Sequence, residues 1–70
     1  MRPEKHSLSL RGHRTSVSLE PPFWEAFRRI AAQDGRAINE LAAEIDAARD
    51  PATNLASAIR VFVLRRVTER

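Results

Sequence analysis

Between His13 and Leu19 the chain alternates strictly, with Thr15, Val17 and Leu19 on one side and Arg14, Ser16 and Ser18 on the other. A period of two rich in β-branched residues predicts a strand with one face for a core and one for water. It is the only convincing strand. Ser7-Leu8-Ser9-Leu10 alternates as well, but only over four residues before Gly12 interrupts it, so residues 1–12 read as a basic, extended N-terminal arm. Past Glu20 the period changes. Phe23, Phe27, Ile30 and Ala31 recur at helical spacing, Trp24 widens their face, and two prolines open the segment where a helix tolerates them. This predicts a first helix over Pro21–Asp34, stopped by Gly35. Ile38, Leu41, Ala42 and Ile45 form the stripe of a second helix ending near Ala48, with Glu40 and Glu44 turned away from it. Asp50-Pro51-Ala52-Thr53 is a break. Thr53 or Asn54 then caps a third helix to about Val67, whose buried side is Leu55, Ile59, Phe62, Val63 and Leu64; Arg65, Arg66 and Arg70 crowd its end, where cations suit the helix dipole.

The predicted class is therefore mainly α with one short strand, in a single domain over residues 13–70. A lone strand leaves its backbone groups unpaired. Seventy residues also bury a modest core, and such chains often lean on disulfides, metal or self-association. There is no cysteine, so disulfides and thiolate metal sites are excluded. The simplest solution is the same strand from a second copy, paired antiparallel across a two-fold axis in an intertwined homodimer.

Charge sharpens this picture. The formal net charge is only +3, although the pI is about 11.0 because arginine dominates the basic residues. Residues 1–19 carry Arg2, Lys5, Arg11 and Arg14 against Glu4 alone, whereas residues 20–70 hold eight arginines and eight acids. The whole excess sits on and before the strand, which is the footprint of a face that meets a polyanion. No apolar run approaches the length of a membrane span, and no signal peptide is apparent, so a cytoplasmic protein without a membrane partner is expected. His6 and His13 alone make a weak metal signal, and the Glu40, Glu44 and Asp46 cluster lacks an accompanying nucleophile; neither a metal, a cofactor nor catalysis is expected.

A basic strand, a helix, a tight turn and a second helix in an implied dimer resemble the ribbon-helix-helix fold of Arc- and MetJ-type repressors. The residues Gly12-His13-Arg14-Thr15-Ser16-Val17-Ser18-Leu19-Glu20, Phe23-Trp24, Asn39-Glu40-Leu41, Ile45-Asp46 and a closing segment Asn54–Leu64 resemble a bacterial subgroup of small members carrying an extra C-terminal helix. The resemblance implies a transcriptional regulator that binds double-stranded DNA in a sequence-specific manner, its paired strands entering the major groove. By position it implies base contacts from Arg14, Ser16 and Ser18. It also implies phosphate contacts at the N-terminus of the second helix, here Ala37, Ile38 and Asn39, where free N–H groups meet an anion. Lys5, Arg11 and His13 are further phosphate candidates. One departure stands out: Ala37 occupies the capping position where relatives often have a hydroxyl residue, which weakens that cap by ~1 kcal/mol.

Each feature has a plainer reading. A polar strand face is usually just solvated, Trp24 with Phe23 and Phe27 fits a core or dimer interface better than a base-stacking platform, and the third helix is surplus to a minimal fold. An antitoxin that regulates its own operon is one alternative, against which the short tail counts. The other is a dimeric adaptor that docks a protein on the third helix. Higher-order assembly of dimers on DNA is compatible with the same pattern.

Overall fold

A computed structural model describes residues 1–69, as a two-stranded antiparallel sheet followed by three helices: β1 (Glu4–Leu10), β2 (His13–Leu19), α1 (Pro21–Gln33), α2 (Ile38–Ala48) and α3 (Leu55–Thr68). Arg70 lies outside the described residues.

The N-terminal segment departs from expectation. Residues 4–10 are not a loose arm but the first strand of a hairpin, paired with β2 from Glu4↔Leu19 through to Leu10↔His13. The reason lies in the two residues between the strands. Arg11 has φ +51° and Gly12 φ +88°, two successive left-handed residues as a type I′ turn requires. Gly12 is thus the turn residue, not a break. β2 has a partner in its own chain, so it is not the lone strand that the alternation suggests.

The sheet turns one face to the helices. Leu8, Leu10, Val17 and Leu19 are buried there against Phe27, Ile30 and Ala31 of α1, Leu41, Ala42 and Ala43 of α2, and Ile59 and Val63 of α3. His6 lies on the same face and stacks on Trp24, ring centroids 3.9 Å apart and 7° from parallel, which ties β1 to α1. Trp24 is half-buried beside the core.

The helix ends follow local chemistry. The N–H groups of Phe23 and Trp24 bond the Glu20 carbonyl past the two prolines. At the other end Gly35, φ +65°, donates to Ala32, and Arg36 donates to the Ala31 carbonyl at 2.9 Å, a Schellman pattern that only a residue at ease with positive φ completes. Asn54, of the two candidates, caps α3 by accepting from Ser57 N–H at 2.8 Å. At α2 the hydroxyl half of a capping box is missing, but the Glu40 carboxylate still accepts from Ala37 N–H at 3.1 Å.

α3 corrects the expected burial. Ile59 and Val63 are buried and Leu55 and Phe62 half-buried, but Leu64 is 57% exposed, together with Val61 and Val67. The helix carries apolar residues on more than one side, so its spacing does not single out the buried one. Two ion pairs fasten it: Arg60 to Glu20 at 2.8 Å, and Arg66 to Asp34 at 2.6 Å.

Candidate nucleic-acid interface

The register places six side chains on the outer face of the hairpin. Lys5 stands opposite Ser18, Ser7 opposite Ser16, and Ser9 opposite Arg14, because directly paired residues share a face. All six are exposed. Among the described residues none of these side chains has a hydrogen-bond or ion-pair partner within the chain. The face is therefore short, polar and cationic at diagonal corners, with Lys5 at one and Arg14 at the other.

Four arginines past the hairpin behave differently. Arg36 grips Glu44, Arg49 binds Asp46 and the Thr53 carbonyl, Arg60 binds Glu20, and Arg66 binds Asp34. The Arg60 guanidinium holds the Glu20 carboxyl below its ordinary value, and Arg66 and Arg36 do the same for Asp34 and Glu44. Ion pairing thus absorbs the charge of Arg36, Arg49, Arg60 and Arg66, while Lys5, Arg11 and Arg14, like Arg28, Arg29 and Arg65 of the helices, have no carboxylate partner among the described residues.

A second element lies at the margin of this face. The N-terminus of α2 approaches the outer edge of β1, where the Asn39 side-chain oxygen accepts from Ser9 N–H at 3.0 Å. The N–H groups of Ile38, Asn39 and Glu40 have no partner among the described residues, so the helix presents the donors that favour an anion. Arg11, at the hairpin tip, borders the same shallow groove as Asn39, Glu40 and Glu44. His13 is placed elsewhere. It shares the helix-facing side of β2 with Thr15 and Val17 and lines a groove with Asp46 and Arg49, away from Arg14.

The profile of the ribbon-helix-helix domain matches residues 3–67, nearly the whole chain. The chain belongs to the ribbon-helix-helix family. Domains of this family are DNA-binding regulatory modules. No curated protein and no solved structure matches the chain. In this ribbon-helix-helix domain the hairpin face holds Arg14, Ser16, Ser18 and Lys5 together, the α2 N-terminus with Ala37, Ile38 and Asn39 adjoins it through Ser9, Arg11 lies between them, and His13 is apart. Sequence reasoning missed Ser7 and Ser9 on the face, and the signal was present: alternation through Ser7–Leu10, then a glycine-containing two-residue gap, is a hairpin pattern. It also missed Asn39 as a side-chain bridge and Arg60 as a brace, and neither has a local signal. Among the described residues no group of three metal-ligating side chains comes together, and no helix is long and apolar enough to cross a membrane.

Proposed function

We propose that this ribbon-helix-helix protein is a homodimeric transcriptional regulator that reads double-stranded DNA through the outer face of its hairpin. The observation that carries the reading is the set of six exposed, unpartnered polar and cationic side chains on one face of the sheet. In the major groove each base pair offers a distinct donor and acceptor pattern. Arg14 is suited to a bidentate contact with guanine O6 and N7, and Ser16 and Ser18 donate or accept at closer range. Lys5 and Arg11 neutralise phosphates. The free N–H groups of Ile38 and Asn39, next to Ala37 at the start of α2, grip a backbone phosphate and set the register, an arrangement that needs no particular side chain. His13, on the far side of the sheet, is not among the base-reading residues.

Selection from a random-sequence DNA pool at two salt concentrations tests the proposal. The expected result is an enriched pseudo-palindrome. Arg14→Ala should weaken binding to it by ~1–3 kcal/mol and relax one base position per half-site. Salt-steep binding without an enriched motif would reduce the face to a nonspecific polyanion site. A second reading, the adaptor that docks a protein, is favoured only by the exposed Val61, Leu64 and Val67 of α3, and absence of DNA binding at either salt would select it.

A further inference from the structure

The hairpin contains a short repeat that its pairing makes symmetric. Lys5-His6-Ser7-Leu8-Ser9-Leu10 and Arg14-Thr15-Ser16-Val17-Ser18-Leu19 follow one scheme: a cation, any residue, serine, an aliphatic residue, serine, leucine. The register sets Ser7 against Ser16, Lys5 against Ser18 and Ser9 against Arg14. A two-fold rotation about the Ser7–Ser16 pair therefore exchanges equivalent positions. It carries Lys5 onto Arg14 and Ser9 onto Ser18. The inner face obeys the same rotation, since Leu8 and its counterpart Val17 are buried, as are Leu10 and its counterpart Leu19.

Each strand thus presents the same kind of outward triplet. Paired strands stand about 4.8 Å apart, and a major groove about 12 Å wide admits two of them. The start of α2 shows where β1 stands relative to such a groove. Asn39 accepts from Ser9 N–H at the edge of β1 that faces away from β2. The free N–H groups of Ile38 and Asn39 therefore lie outboard of β1. With a phosphate of the groove wall held there, β1 lies between that wall and β2, over the base edges. Ser7 and Ser9 are exposed, and neither hydroxyl has a partner among the described residues.

We infer that Ser7 and Ser9 of β1 read base edges as the counterparts of Ser16 and Ser18, so that the hairpin of one chain is a complete two-stranded reading ribbon. This rests on the proposed function and assigns β1 a part in its specificity. Serine suits the place. It is short enough to let both strands approach the groove floor, and its hydroxyl donates or accepts. The symmetry is imperfect at the corners. Arg14 carries a planar fork that matches guanine, whereas Lys5 is a point charge on a flexible stem and stays with phosphate. The sequence read by one hairpin is accordingly quasi-symmetric at its centre and guanine-directed at one end. In the dimer each copy brings such a ribbon to its own half-site.

Selection from the random DNA pool is repeated with Ser7→Ala, Ser9→Ala and, as a control, Gln33→Ala at an exposed position of α1, after circular dichroism confirms parental helicity. Each serine variant is expected to relax a base preference that Arg14→Ala leaves intact, by about two- to tenfold, the worth of one hydrogen bond. The salt dependence should stay that of the unmodified chain. Ser9→Asn should instead impose adenine at the position Ser9→Ala relaxes, because asparagine pairs with adenine N6 and N7. An unaltered base profile in the serine variants, while Arg14→Ala still blurs its own position, would overturn the inference and leave the proposed function standing. So would uniform weakening across sequences with a shallower salt slope, the mark of a phosphate contact. An unmodified chain that enriches no motif would overturn both.

Discussion

Gly12 shows how one residue decides the sheet. A Cβ added there meets nothing within 4 Å, so crowding plays no part and the φ of +88° alone selects glycine. Gly12→Ala should therefore destabilise the domain by ~1–2 kcal/mol, the cost of a left-handed conformation for an L residue. Amide exchange should accelerate first in Glu4–Leu10, and unchanged exchange there would show that the turn is not what holds β1. Arg14 and Lys5 carry the opposite lesson. Their side chains have no partner in the chain, so neutralising either should leave thermal stability within ~0.5 kcal/mol while DNA binding suffers. Melting curves beside binding curves separate the two effects.

At the scale of elements, α3 is the addition to be explained. It buries Ile59 and Val63 and is tied by Arg60 to the end of β2 and by Arg66 to the end of α1. Ile59→Ala should cost ~2–5 kcal/mol in a domain with so small a core, measured by chemical denaturation. The ion pairs predict a pH dependence. The Glu20, Asp34 and Glu44 carboxyls lie below their ordinary values when folded, because arginines hydrogen-bond their charged forms. Groups lowered on folding add stability that is complete above the unfolded value, about 4 for carboxylates, and is lost as pH falls through the folded values. The melting temperature should hold level above about pH 5 and drop in acid. Arg60→Gln should lower the plateau and soften the drop; an identical acid profile in that variant would remove the Arg60–Glu20 pair from the account. Both side chains of that pair are partly exposed, so the effect is modest.

Over the whole molecule, β2 and the three helices were legible from period alone. Their boundaries need little beyond Pro21, Gly35, Pro51 and Asn54. β1 was not, because Glu4-Lys5-His6 lacks β-branched residues and only Ser7–Leu10 alternates cleanly. Arg11 added to the ambiguity, since a non-glycine residue at φ +51° is uncommon. Leu64 was misjudged because α3 is apolar on several sides. The Asn39–Ser9 and Arg60–Ser18 contacts join residues 30 and 42 positions apart, a separation that no local pattern reports. The candidate face was half legible: Arg14, Ser16 and Ser18 came from alternation, while Ser7 and Ser9 required the hairpin. With the pairing made inside one chain, helicity should hold constant on dilution whatever the state of association, and circular dichroism across a concentration series, beside sedimentation, checks it.

The two-residue turn between β1 and β2 also has a consequence in time. A ribbon assembled from two molecules waits for an encounter, so its formation slows as the chain becomes scarce. Here the strands that meet are joined by Arg11 and Gly12, and hairpins of this kind close in about 1–10 μs whatever the concentration. A newly made copy can therefore complete its hairpin, and the polar face it carries, before it meets any other molecule.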